Sequence, residues 1–189
     1  MTDASASDQD LERFRAYLHL LARLQLDGKL QGKVDLSGVV QVTLLEAHQA
    51  LAQFVDRDEA LRMAWLRQIL ANNLRDEIRK LATAARDVDR ECSLETALAA
   101  SSAQLQGWLA ANQSSPSQQV IRHEELLALA SALARLPDEQ RLAVEAHHLK
   151  GLPLADVAWQ LGRTKGAVAQ LLFRGLKKLR ELLTEAEGN

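Results

Sequence analysis

The segment "GLPLADVAWQLGRTKGAVAQLLFRGLKKLR", residues 151–180, decides the fold of the C-terminal half of the chain. A helix-turn-helix needs a small residue where its two helices touch and a glycine where the chain reverses. Ala158 and Gly162 stand at these two positions. Thr164 is placed to cap the second helix. The apolar periodicity predicts that four further residues face inward, namely Val157, Leu161, Val168 and Leu172.

The rest of the chain is also predicted to be helical. Aromatic residues make up 4% of the sequence and there are three prolines, a composition that favours helices over a β-sandwich or barrel. Apolar residues recur at helical spacing in residues 11–24, 40–54 and 61–78, and again from residue 120. In the third of these helices the predicted apolar stripe comprises Leu61, Trp65, Ile69, Leu74 and Ile78.

The predicted fold class is all-α, with two small helical bundles joined by a flexible linker. Residues 84–119 are rich in Ser, Ala and Gln, and "SSPS" interrupts any helix there. We expect a disordered N-terminus over residues 1–9, a helical domain over 10–85, a linker over 86–119 and a helix-turn-helix domain over 120–186. The linker contains weak helical periodicity that predicts a short helix docked by Leu105, Trp108 and Leu109; one continuous helical domain is the alternative.

The charge pattern indicates two separate basic segments. Residues 61–90 carry seven basic and four acidic side chains, and residues 153–189 carry six basic and four acidic ones. The intervening and preceding segments are acidic, although the whole chain has a net charge of −2. Nucleic-acid binding at two places would explain this alternation, and chance variation in a helical bundle is the other interpretation.

Several other classes of protein find no support in the sequence. No window is apolar enough to predict a transmembrane helix, and the polar N-terminus lacks the features of a signal peptide, so we expect a cytoplasmic location. Cys92 is alone, and the adjacent His147 and His148 lack the spacing of a metal pair on a helix. We expect no catalytic residue, metal or cofactor, and therefore no enzyme.

The second helix of the helix-turn-helix carries few side chains that distinguish bases. Basic residues at its entry and exit can contact phosphates, which provide affinity without sequence choice. Only Gln170 and Thr164 are suited to base edges. The basic run could equally be a solvated helix face, and a helix-turn-helix can also serve protein binding. The predicted DNA-contacting set is Arg163, Thr164, Lys165, Gln170, Arg174, Lys177 and Lys178.

Residues 136–182 resemble region 4 of sigma-70 family transcription initiation factors, in their short extracytoplasmic-function (ECF) form. The resemblance rests on "LPDEQR", Gly151, "DVAWQLG", Val168, Leu172, Arg174 and "LR" at 179–180. Two positions that are commonly basic in the family are Ala169 and Leu171 here. This departure implies positioning at a −35-like promoter element with loose base preference.

The N-terminal half independently resembles region 2 of the same family. "DLSGVVQVTLLEAH" is similar to the segment that binds the polymerase clamp, which implies core contacts by Asp35, Gln41, Thr43 and Glu46. "AWLRQILANNLRDEIRK" is similar to the segment that handles the −10 element. Its asparagine is Asn72 or Asn73, because the register is ambiguous by one residue. The implied −10 set is Arg62, Arg67, Asn72, Asn73, Arg75, Arg79 and Lys80.

The resemblance implies core RNA polymerase and promoter DNA as partners, with an anti-sigma factor as a common further partner and no membrane insertion. Such a factor recognises the −10 and −35 elements and promotes DNA melting. The sequence leaves two alternatives open: a stand-alone helix-turn-helix regulator and a protein-binding adaptor. The basic segment at residues 61–90 favours the sigma factor, since the sensor domain of a regulator has no need of it.

Overall fold

The computed structural model describes residues 11–26, 32–50, 58–81, 91–111 and 119–187. These residues form helices joined by turns and contain no strand, which confirms the all-α prediction. The chain divides into two compact units, Met1–Leu127 and Ala128–Asn189. The predicted disordered segment 1–9 lies outside the described residues. None of the described helices is long and apolar enough to cross a membrane.

Four helices build most of the first unit: α1 Arg15–Gln25, α2 Leu36–Gln49, α3 Glu59–Leu81 and α4 Glu91–Ala111. Asp35 caps α2, because its Oδ1 accepts a hydrogen bond of 3.0 Å from the Gly38 backbone N–H. Val40, Leu44 and Ala47, which belong to the apolar periodicity predicted over residues 40–54, are buried. The rest of that predicted helix, residues 51–54, lies outside the described residues.

Helix α3 is rotated relative to the prediction. Its buried stripe is Met63, Leu66, Leu70 and Leu74, whereas Leu61 is 52% exposed and Trp65, Ile69 and Ile78 are half-buried. Of the predicted stripe, only Leu74 is fully buried, so the predicted face was wrong. The helix carries apolar residues on two different faces, and the face that is buried is the one that α1, α2 and α4 cover. Periodicity alone gave no way to choose between the two faces.

Helix α4 fills much of the segment that was predicted as a linker with a short helix. It has 21 residues and packs against α1 and α3. Leu98, Leu105 and Leu109 are buried, while the Trp108 side chain lies outside the described part. Polar contacts add to this packing: Tyr17 Oη donates to Ser102 Oγ at 2.9 Å, and Gln25 Nε2 donates to Ser101 Oγ at 2.8 Å.

The second unit contains the predicted helix-turn-helix. Its elements are the C-terminal part of α5 (Gln119–Ala134), α6 (Asp138–Val144), a π-helical segment (Glu145–Leu149), α7 (Leu154–Leu161) and α8 (Lys165–Glu187). Helix α8 packs on both α6 and α7. Of the residues predicted to face inward, Val157, Ala158, Val168 and Leu172 are buried, and Leu161 is half-buried.

The turn between α7 and α8 depends on Gly162, which adopts the left-handed conformation with φ 61°. A residue with a side chain is strained in the left-handed conformation, so glycine ends α7 without conformational strain. The reversal is fixed by the Arg163 backbone N–H, which donates to Ala158 O at 2.9 Å. Thr164 then caps α8 as predicted, because its Oγ1 accepts from the Ala167 N–H at 3.2 Å.

Close approach of α6 and α8 depends on a second glycine. A Cβ on Gly175 would lie 3.0 Å from Val144 Cγ2 and 3.4 Å from the Gln140 carbonyl oxygen. Gly175 is buried in α8, where a larger residue would ordinarily be the better helix former. The contact explains why a glycine stands inside this helix.

We predict that Gly175→Ala lowers the thermal midpoint of the second unit. Overpacking a tight contact costs about 1–3 kcal/mol, which exceeds the roughly 0.5–1 kcal/mol that alanine contributes inside a helix. Gly166→Ala, in the same helix with no atom within 4 Å of the added Cβ, is the matched control and should raise stability. Thermal unfolding followed by circular dichroism compares the two. A Gly175→Ala variant as stable as Gly166→Ala would refute the close-contact explanation.

Candidate nucleic-acid interface

The outward face of α8 brings together three of the side chains predicted to contact DNA. Gln170, Arg174 and Lys177 are exposed, and their spacing of three and four residues places them on one side of the helix. Phe173 lies on the same side and is 71% exposed. The face therefore combines an amide, two cations and an apolar ring, all available to a groove.

The cations of this motif differ in how far they are already paired. Lys165, Arg174 and Lys177 are exposed and have no ion-pair partner among the side chains that the structure describes. Lys178 Nζ lies 3.5 Å from Glu181 Oε2, one turn along the same helix. Arg163 Nη2 lies 2.5 Å from Glu139 Oε1 of α6. The first three cations present the least compensated positive charge to a phosphate backbone.

Few groups on α8 can distinguish bases. Ala169 is exposed and Leu171 is half-buried, so neither offers a hydrogen bond to a base edge. Gln170 is exposed and can offer one, and Thr164 is exposed although its oxygen already accepts the capping bond. Sequence reasoning missed Phe173. Its spacing of three residues from Gln170 and four from Lys177 was the available signal.

In the first unit, the outer face of α3 carries part of the predicted −10 set. Asn72, Arg79 and Lys80 are exposed, and Arg75 Nη1 donates to Asn72 Oδ1 at 3.0 Å. Arg79 and Lys80 each lie near an acid one turn earlier, Asp76 at 3.8 Å and Glu77 at 3.0 Å. Arg62 is half-buried. Trp65, two turns before Asn72, lies on the same side of the helix.

Two members of the predicted −10 set point instead toward neighbouring helices. Arg67 Nη1 donates to Tyr17 Oη at 3.0 Å and approaches Ser102 Oγ at 3.5 Å, so its guanidinium is part of the contact among α1, α3 and α4. Asn73 Nδ2 donates to Thr43 Oγ1 and to Glu46 Oε2, both at 3.2 Å. The two adjacent asparagines are thereby distinguished, since Asn73 bonds to α2 and Asn72 faces solvent.

The residues of α2 that were predicted to contact core polymerase also differ in exposure. Thr43 is wholly buried, and its hydroxyl donates to Val39 O at 2.8 Å, so the prediction that Thr43 contacts a partner was wrong. Gln41 and Glu46 are exposed, and Asp35 is exposed while capping the helix. Between Gln41 and Glu46 lie two exposed apolar residues that sequence reasoning missed, Val42 and Leu45, the latter 54% exposed.

The adjacent histidines of the second unit lie in different environments. His147 Nδ1 donates to Leu152 O at 2.8 Å, which ties the π-helical segment to the loop before α7. Burial, followed by the neighbouring His147, lowers the pKa of His148. Because the folded chain disfavours the protonated ring, protonation at acidic pH destabilises this unit. Among the described residues no group of three His, Cys, Asp or Glu side chains is arranged to hold a metal ion.

Comparison with known proteins identifies the family. Residues 126–179 match the family model "Sigma-70, region 4". The ECF RNA polymerase sigma factor SigM of Mycobacterium tuberculosis (strain H37Rv) is 30% identical over 189 residues, which cover 96% of this chain and 79% of SigM. The chain belongs to the ECF sigma factor family.

Two further similarities accompany this identification. The ECF RNA polymerase sigma factor SigF of Caulobacter vibrioides is 42% identical over 62 residues, covering 33% of this chain and 35% of SigF. The sigma factor RpoE of Bartonella quintana, solved in complex with the anti-sigma factor NepR, is 19% identical, with 93% of this chain and 95% of that chain covered and a TM-score of 0.33.

As an ECF sigma factor, the protein is a transcription initiation factor. The alternative of a stand-alone helix-turn-helix regulator gains no support from these similarities. Family membership implies a regulator without an enzymatic reaction of its own. The outward surfaces of α3 and α8 are therefore the places where promoter contacts have to be sought.

We predict that Asn73→Ala destabilises this sigma factor and that Asn72→Ala does not. The Asn73 amide satisfies the buried Thr43 hydroxyl, and loss of one such hydrogen bond costs about 0.5–1.5 kcal/mol. Asn72 is exposed and makes its bond with the neighbouring Arg75. Denaturant unfolding of the two single variants measures the difference. Equal unfolding midpoints for the two variants would show that the hydrogen bonds of Asn73 do not stabilise the packing of α3 on α2.

Proposed function

We propose that this ECF sigma factor binds core RNA polymerase and recruits it to promoters through two DNA-contacting surfaces of unequal selectivity. The α3 surface of the first unit contacts the −10 element and supports strand opening. The α8 surface of the second unit positions the protein on a −35-like element. The observation that carries this proposal is the composition of the exposed α8 surface, where Lys165, Arg174 and Lys177 accompany one amide and the exposed Phe173.

On α3, the proposed −10 contacts are the side chains that remain outward. Asn72 is preferred to Asn73, because the amide of Asn73 already donates two hydrogen bonds to α2. Arg62, Arg75, Arg79 and Lys80 supply positive charge along the helix, and Arg67 is left out. Opening DNA costs a few kcal/mol per unstacked base. Trp65 is the proposed stacking platform, since it is not part of the buried stripe of α3.

On α8, neighbouring side chains have separate proposed tasks. Lys165, Arg174 and Lys177 contact phosphates, with Lys178 and Arg163 at the edges. Gln170 is suited to the edge of adenine, and the exposed Phe173 ring is suited to apolar contact with a thymine methyl group. Thr164 caps the helix and can still donate its hydroxyl proton. A surface of this kind gives affinity and register with limited sequence choice.

For core polymerase, the proposed surface is the exposed face of α2. Val42 and Leu45 form an apolar centre, and Gln41 and Glu46 flank it. Exposed apolar side chains gain from burial against a partner, and polar neighbours fix its orientation. Asp35 caps the helix and lies near this face, whereas Thr43 supports it from inside.

Reconstitution with core RNA polymerase on a promoter library tests the proposed function. The protein should co-purify with core and direct initiation from a subset of the library. Leu45→Asp, which places a charge at the centre of the α2 surface without disturbing the buried residues, should reduce both activities. The proposal fails if the parent protein neither binds core nor directs initiation.

We predict that Arg174→Ala combined with Lys177→Ala weakens binding to promoter and non-promoter duplexes alike. Removing one phosphate contact lowers the slope of log affinity against log salt concentration by about 0.9. Phe173→Ala is the matched control on the same helix face, and it should change base preference with no change in the slope. Fluorescence anisotropy titrations at several salt concentrations measure both quantities. An unchanged slope in the double variant would exclude this helix face from phosphate contact.

A further inference from the structure

Arg163, one of the predicted phosphate contacts, is held by an acid of another helix. It follows the turn glycine and precedes the capping residue of α8. Its Nη2 donates to Glu139 Oε1 at 2.5 Å, and the two side chains are 51% and 56% exposed. Glu139 belongs to the first turn of α6, where a negative charge is stabilised by the helix dipole.

This ion pair differs from the other one in the motif. Lys178 pairs with an acid three residues away on its own helix, so that pair moves with α8. Glu139 is 24 residues from Arg163 and fixes the guanidinium against α6. Among the cations that the structure describes in residues 154–180, only Arg163 is paired with an acid from another helix.

Under the proposed function of α8, the carboxylate would affect DNA binding in two ways. It would occupy the guanidinium that is expected to contact a phosphate, and it would add a negative charge beside a phosphate-contacting residue. Charges of like sign repel over several ångströms at low salt and are screened at high salt. The pair is solvent-exposed and contributes little to folding, so it can exchange for a phosphate partner when the protein is held on DNA.

We propose that Glu139 is a positioning residue that keeps Arg163 away from DNA in the free protein and so lowers its affinity for DNA of any sequence. This inference rests on the proposed function of α8 as a phosphate-contacting helix. As a consequence, the second unit contributes its full affinity for DNA only when other contacts of the initiation complex hold it against the promoter. Glu139 therefore sets how strongly the free factor binds DNA by itself.

Anisotropy titrations of the full chain with a promoter duplex and an unrelated duplex test the proposal. Glu139→Gln keeps the size of the side chain and removes its charge. We expect it to tighten binding to both duplexes by about three- to tenfold at low salt, and to steepen the salt slope by about 0.9 through one added phosphate contact. When Arg163→Gln is added, the gain should fall to that of a simple charge removal and the change in slope should vanish.

Asp138→Asn is the matched control, because Asp138 stands in the same helical turn and pairs with Arg141, outside the predicted DNA-contacting set. It should give a smaller gain and an unchanged slope. The proposal is overturned if Glu139→Gln leaves affinity unchanged or weakens it, if Asp138→Asn produces an equal gain, or if the steeper salt slope persists beside Arg163→Gln. Should Arg174→Ala with Lys177→Ala still weaken binding in that case, the proposed role of α8 stands and the inference about Glu139 alone fails.

Discussion

Burial of the stripe Met63, Leu66, Leu70 and Leu74 fixes the rotation of α3, and the side chains available to the proposed −10 surface follow from that rotation. With this stripe inside, Asn73 meets α2 and Arg67 meets α1 and α4. The opposite side, with Trp65 and Asn72, is then left outward. A rotation that instead buried Leu61, Trp65 and Ile69 would turn Asn73 and Arg67 outward and would bury the side that carries Asn72.

In the second unit, two glycines impose an equivalent constraint on α8. Gly162 reverses the chain with φ 61°, and Gly175 lets α8 approach α6 closely. Together they fix both the direction of α8 and the side that it turns outward. The orientation of α8 therefore does not depend on the side chains of its outer face. These side chains can contact DNA strongly or weakly without changing the fold.

Much of this architecture could be predicted from the sequence, and the reasons differ from element to element. The helix-turn-helix was predictable because its requirements are local: a glycine at the turn, a capping threonine and apolar residues four apart. The rotation of α3 was not, since two apolar stripes on different sides of the helix satisfy the same periodicity and only the packing of neighbours selects one. Thr43 looked like a surface residue in sequence, yet its hydroxyl bonds within its own helix and to Asn73. Likewise, no local signal showed that Arg67 meets Tyr17, because that contact joins residues 50 positions apart.

We propose a division of labour between the two surfaces, in which α3 makes most of the promoter choice and α8 provides position through phosphates. The most direct measurement is initiation by this sigma factor with core RNA polymerase on a library in which the −10 and −35 elements are both randomised. We expect strong base preference among selected promoters at the −10 element and weak preference at the −35 element. Equal or stronger preference at the −35 element would contradict this division.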